Sequence, residues 1–169
     1  MAGGTYFFTV NVLQRYPNDL LVRPIELLRT VVRDVRATWP FHIDAWVVLP
    51  DHLHCVWTLP PDDDFTNRWR LIKQRFSKGL STGERRSSVR SARGERGIGQ
   101  RRFWGHALRD EADYAGHVDY CHINLVKQGF VQRAVDWPYS TFHRYVEQGI
   151  YPLDWACGPD FDVQGGERG

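Results

Sequence analysis

No apolar run in this chain approaches the ~20 residues that a membrane-spanning helix needs. The N-terminus, MAGGTYFFTV, has neither a basic leader nor a long apolar core, so no signal peptide is expected. Cysteine is scarce. Cys55, Cys121 and Cys157 are odd in number and widely spaced, which suits reduced thiols in a cytoplasm and gives no zinc-binding spacing. No internal repeat is visible. What remains is a chain of 169 residues with 42% hydrophobic and 25% charged residues, an ordinary balance for one globular domain. A domain near that length buries roughly 70% of its unfolded surface, enough for a real core. The expected organisation is a single domain over 1–157, interrupted by a basic loop near 81–101, and a disordered polar tail over 158–169.

Charge is unevenly spread. Arg68 to Arg102 carries twelve basic residues against Glu84 and Glu95, a net +10 within a whole-chain +2, which leaves −8 for the remainder. A local basic block on a near-neutral protein suits a polyanion. It also suits a solvated helix face followed by a loose loop.

Tyr6 to Val12 alternates as a strand, with Tyr6, Phe8, Val10 and Val12 on one face and Phe7, Thr9 and Asn11 on the other. Pro24 opens a helix to about Thr38, buried through Ile25, Leu28, Val31, Val32 and Val35, and Trp39-Pro40 ends it. A second helix runs from about Phe65 to Gly79. Phe65, Trp69, Ile72 and Phe76 form its apolar stripe, and Arg68, Arg70, Lys73, Arg75 and Lys78 occupy the rest. Ser81 to Gln100 is rich in Ser, Gly and Arg and has almost nothing to bury. Arg102 to Arg109 predicts a fourth strand. Asp110-Glu111 starts a third helix that should stop at Gly129, and Trp137 to Phe142 predicts a turn feeding a short helix through Val146. Strand, helix, strand, strand, helix, strand, helix is the order of a ferredoxin-like α+β fold, an antiparallel sheet with packed helices.

The stretch Phe41 to Pro60 organises this plan as strand, tight turn at Pro50-Asp51, and strand. Alternation puts His52, His54, Val56 and Thr58 on one face and Leu53, Cys55, Trp57 and Leu59 on the other. Two imidazoles side by side can grip a divalent ion. They can equally be two half-exposed histidines at a turn. On the third helix Tyr114, Val118, Cys121 and Leu125 repeat as a packed stripe, while His117, Tyr120 and Asn124 line a flank roughly 100° away. Asn124 offers a neutral oxygen that suits Mg²⁺ or Mn²⁺ beside imidazole. Tyr120 offers a hydroxyl, the kind of group that performs covalent catalysis on phosphorus once activated. Each of the two, taken singly, also reads as an ordinary helix residue. His106 and His122 read as structural.

The residues Ala45-Trp46-Val47-Val48-Leu49-Pro50-Asp51-His52-Leu53-His54, with Tyr6 to Val10, Phe103-Trp104, His117 to Asn124 and Trp137-Pro138-Tyr139-Ser140, resemble the single-tyrosine HUH transposases. Within these, the chain resembles the REP-associated tyrosine transposases, over nearly its whole length. The resemblance implies a metal-dependent endonuclease and strand transferase acting on single-stranded or hairpin DNA. His52, His54 and Asn124 would hold Mg²⁺ or Mn²⁺, and Tyr120 would form a 5′-phosphotyrosine and leave a free 3′-OH. It also implies a bacterial cytoplasmic, nucleoid-associated setting. Arg85, Arg86, Arg90, Arg93, Arg101, Arg102 and Lys73 are the candidate phosphate contacts, and Trp69, although aromatic, belongs to the core stripe. The chain departs from the family at Leu125, where proline usually follows the asparagine, so the helix should continue through Val126 and Lys127. A DNA-binding regulator that no longer cuts, and a phosphodiesterase that uses water, stay open, as does monomer against dimer.

Overall fold

The computed structural model describes residues 3–11, 25–50, 52–61, 64–80 and 104–155, with only the backbone at 80 and 104. The basic loop near 81–101 and the tail over 158–169 lie outside them. Four strands form one sheet: β1 (Thr5–Asn11), β2 (His42–Val48), β3 (His52–Thr58) and β4 (Trp104–Ala107). Their order is β2-β3-β1-β4, and every neighbouring pair is antiparallel. The helices are α1 (Ile25–Thr38), α2 (Phe65–Leu80), α3 (Glu111–Lys127) and α4 (Phe142–Glu147), with a 3-10 turn at Ala134–Asp136. This is the α+β, ferredoxin-like plan expected from the element order. Among the described residues no helix is long and apolar enough to cross a membrane.

Both faces of the sheet are buried, each under different helices. On one face Phe8, Val10, Leu53, Cys55 and Trp57 meet Leu28, Val32 and Val35 of α1 and Trp69, Ile72 and Phe76 of α2. Trp69 is core, as its spacing predicted, and stacks on Trp57 at 4.2 Å. On the other face Phe7, Ala45, Val47 and Val56 meet Val118, Cys121 and Leu125 of α3 and Phe142 of α4. The second cover explains why His54 and Val56, on the histidine face of β3, are as buried as Leu53 and Cys55 on the other: α3 lies over them instead of solvent.

Arg68 corrects the expectation for α2. It falls outside the apolar stripe, among the basic residues that occupy the rest of the helix, yet it is fully buried. Its guanidinium donates to the carbonyls of Trp39 (3.2 Å), Asp64 (2.8 Å) and Pro40 (2.9 Å), locking the start of α2 onto the α1–β2 junction. The partners lie up to 29 residues away, so no local pattern in α2 signals the contact.

Asp44 marks a bulge in β2, where the register slips between Ile43 and Ala45. Its carboxylate accepts from Thr58 (2.7 Å) and from the Tyr114 hydroxyl of α3 (2.8 Å), and its carbonyl from Tyr145 and Arg144 of α4. One irregular residue therefore ties both elements of the second layer to the sheet. Burial and the Asp44 carboxylate push the Tyr114 phenol far above its ordinary range, so it stays a donor. The outer edge of β2 is not left open. Trp137 Nε1 donates to the Val48 carbonyl, Val48 N–H to the Tyr139 carbonyl, and Thr141 N–H to the Trp46 carbonyl. That docking is what Trp137-Pro138-Tyr139-Ser140 does in the fold.

Candidate active site between β3 and α3

Helix α3 is fixed at both ends. The Asp110 carboxylate caps it by accepting from Asp113 N–H at 2.8 Å. It ends in a Schellman arrangement: Gly129 sits at φ +79°, Gly129 N–H donates to Val126 and Phe130 N–H to Leu125. Leu125 is buried and the helix continues through Lys127, as expected without the family's proline. One flank of α3 is thereby held over the start of β3.

That flank brings Tyr120 and Asn124 to the histidine pair. The His52 and His54 rings are 4.9 Å apart, and the Tyr120 ring stands edge-on to His54 at 5.3 Å. Phe7 walls the site, 5.6 Å from His54 and 5.7 Å from Tyr120. His54 is buried, and its Nδ1 lies 2.8 Å from the Thr9 hydroxyl of β1. Burial, and secondarily His52, lower its pKa to about 3, so its imidazole is neutral at ordinary pH and keeps a lone pair. Asn124 is buried, and Gln128 reaches back one turn to donate to its Oδ1 at 2.7 Å. The same Gln128 nitrogen is 3.4 Å from His52 Nε2.

Whether these residues fit a metal can be tested on one atom. His54 Nε2 is buried without a hydrogen-bond partner among the described residues. Such atoms are rare and call for a partner such as an ion. Trp57 Nε1 in the opposite layer is also buried without a hydrogen-bond partner among the described residues, but an indole N–H cannot ligate. The donor set of two imidazoles and a carboxamide oxygen fits a divalent cation.

A second constellation joins β4 to α3. Ligand atoms of His106, Asp113 and His117 all lie within 4.8 Å of one another and could hold an ion. They also satisfy one another: Asp113 is 3.2 Å from each imidazole and accepts from Arg109 N–H at 3.0 Å. Burial raises the Asp113 carboxyl, but the Arg109 N–H and His106 outweigh it and hold it below the usual range. His122, read as structural, is buried between Thr141 Oγ1 (2.7 Å) and the Tyr151 hydroxyl (3.2 Å).

The phosphate-contact candidates divide differently. Arg85, Arg86, Arg90, Arg93, Arg101 and Arg102 lie outside the described residues, as does Phe103. Lys73 is on α2, across the sheet from Tyr120, and is not brought to the site. Gln128 was missed by sequence reasoning. Its position, four residues after Asn124 and eight after Tyr120, on the same flank, was the available signal.

No family model matches the chain. It is 49% identical over 167 residues to the REP-associated tyrosine transposase of Escherichia coli K12, covering 98% of this chain and 92% of that one. A solved structure of a REP-associated tyrosine transposase bound to a REP hairpin superposes with a TM-score of 0.79 at 48% identity, over 99% of this chain and 93% of that one. With that identity over nearly the full length, and with the histidine pair, tyrosine and asparagine gathered in one place, the chain belongs to the REP-associated tyrosine transposases.

Proposed function

We propose that this protein binds DNA hairpins and cleaves the adjoining single strand through Tyr120, in a transposase-type strand transfer. The observation that carries the reading is the placement of the Tyr120 ring against His54, whose buried Nε2 has no hydrogen-bond partner among the described residues. Kinship with a transposase solved on a REP hairpin supports the choice of DNA.

In the proposed reaction the Tyr120 oxygen attacks a phosphorus atom in the single strand, and the P–O3′ bond breaks. The products are a 5′-phosphotyrosine and a 3′-oxygen that takes up a proton. Transfer reverses the step, with a 3′-OH attacking the phosphotyrosine. A free phenol has a pKa near 10 and is a weak nucleophile, so the site must favour its anion. His52, His54 and Asn124 would hold Mg²⁺ or Mn²⁺, which supplies Lewis-acid charge neutralisation at the phosphate. His54, kept neutral by burial, presents a lone pair and adds no positive charge of its own. Phe7 and the rigid α3 flank fix where the phenol can go, which lowers the entropy cost of attack.

The test uses a labelled hairpin oligonucleotide with single-stranded flanks, incubated with Mg²⁺ and run under denaturing conditions. The wild-type protein should give a covalent band. Tyr120→Phe should give none while binding the hairpin about as tightly. A persistent adduct in that variant overturns the role of Tyr120. Binding with no band in the wild type would instead favour a regulator that no longer cuts. Turnover without a band would favour hydrolysis by water.

A further inference from the structure

A cavity of about 240 Å³ opens at the β2 edge, away from the tyrosine site. Four arginines line it: Arg29, Arg33 and Arg36 from α1 and Arg144 from α4. Positions 29, 33 and 36 fall at i, i+4 and i+7, one stripe of the helix. Val32, Ile43 and the half-buried Trp46 supply apolar lining, and His42 and Thr141 complete it. Among the described residues no carboxylate lines the cavity. Glu26 meets Arg29 at 2.9 Å and Asp34 approaches Arg33 at 3.8 Å, both from outside it.

We infer that this arginine cavity seats backbone phosphates of the same DNA hairpin whose cleavage is proposed at Tyr120, and the inference rests on that reading. Three observations support it. The chain outside residues 68–102 carries net −8, so four clustered guanidinium groups are not the overflow of a generally basic surface. Three of the four arginines are also held in place before any ligand arrives. Arg36 donates to the Phe41 carbonyl and lies over the Phe41 ring, and Arg144 donates to the carbonyls of Ile43 and Asp44 and lies over Tyr145. Arg29 lies over Tyr139. Preset guanidinium groups lose little freedom when they meet phosphate, and their planar forks match its oxygens. Finally, the spacing suits one molecule. Ile43 lines the cavity, and Val47 pairs with His54. Four strand residues span about 13 Å, and DNA advances about 3.4 Å per nucleotide along one strand. Along that strand the separation corresponds to about four nucleotides, and because the α1 arginines lie on the sheet face opposite Tyr120, a hairpin must round the β2 edge to meet both. The Trp46 indole beside the arginines could also stack an unpaired base.

Arg29→Ala/Arg33→Ala is the informative variant, because Arg33 is largely and Arg29 half solvent-exposed, and neither donates to a backbone carbonyl across the sheet among the described residues. Binding of a fluorescent hairpin is followed by anisotropy across a salt series. Each phosphate contact contributes about −0.9 to the slope of log K against log salt. The double variant should flatten that slope by about 1–2, and Arg29→Lys/Arg33→Lys should restore it. Arg109→Ala/Arg133→Ala, an equal loss of charge elsewhere, should not flatten it comparably. An unchanged slope in the first variant, or equal flattening in the second, overturns the inference. Those results are distinct from failure of the parent reading, which would appear as wild-type protein that does not bind the hairpin at all.

Discussion

Thr9 and His54 face each other across the β1–β3 ladder, and the Thr9 hydroxyl lies 2.8 Å from His54 Nδ1. A hydrogen on Nδ1, donated to Thr9, leaves Nε2 bare and turned to the site. Such outer partners fix the tautomer of a ligating histidine, and losing one typically lowers metal affinity about 10–100-fold. Thr9→Val keeps the shape and removes the acceptor. Titration calorimetry with Mn²⁺ should show that loss, and Thr9→Ser should recover it. Wild-type affinity in Thr9→Val would mean that Thr9 does not set the tautomer.

Arg68 governs stability away from the site. Arg68→Met preserves much of the buried stem but leaves the carbonyls of Trp39, Pro40 and Asp64 without their donor. An unsatisfied group costs about 1–3 kcal/mol when fully buried, and these three carbonyls are only part-buried, so a loss on the order of 3–5 kcal/mol, in the lower half of their sum, is expected in denaturant unfolding. A loss below about 1 kcal/mol would mean that water replaces the guanidinium at those carbonyls.

Acid should destabilise the protein through its buried histidines. His122, desolvated and facing Arg144, has its pKa lowered from 6.5 to about 3, and His54 moves in the same direction. The unfolded chain therefore takes up these protons first. Stability is full above pH 6.5 and falls as pH drops towards 3, by up to about 1.4 kcal/mol per pH unit for each group. His122→Gln should remove one proton's worth of that slope, although it weakens the packed site at neutral pH. Denaturant midpoints measured across this window read the slope directly. An unaltered slope would mean that His122 takes no part in it.

The sequence carried the parts of this structure that depend on local periodicity. The stripe Leu28, Val32, Val35 placed α1, the His52-Leu53-His54 alternation placed the pair on one face, and Leu125 announced a helix continuing past Asn124. What it could not carry depends on partners distant in the chain. Arg68 looks like any exposed helix arginine until the α1–β2 junction folds back on it. The Asp44 bulge is invisible without its hydrogen bonds to Thr58 and Tyr114. The arginine stripe of α1 becomes a cavity only when Arg144, more than a hundred residues later, closes it.

Gln128 is a case where spacing was available but its meaning was not. Its amide nitrogen donates to Asn124 Oδ1 at 2.7 Å and lies 3.4 Å from His52 Nε2, so it bridges two of the three proposed ligands. A cation between them must displace that amide, and the two therefore compete. A single such hydrogen bond contributes about 0.5–1.5 kcal/mol, so Gln128→Ala should tighten Mn²⁺ binding by roughly twofold to tenfold. Asn124→Ala should weaken it by about tenfold or more, since it deletes a ligand oxygen. The opposite result, with Gln128→Ala losing about as much affinity as Asn124→Ala, would make Gln128 itself a ligand through its own carbonyl oxygen. Calorimetric titration of the two variants side by side separates a competing amide from a coordinating one.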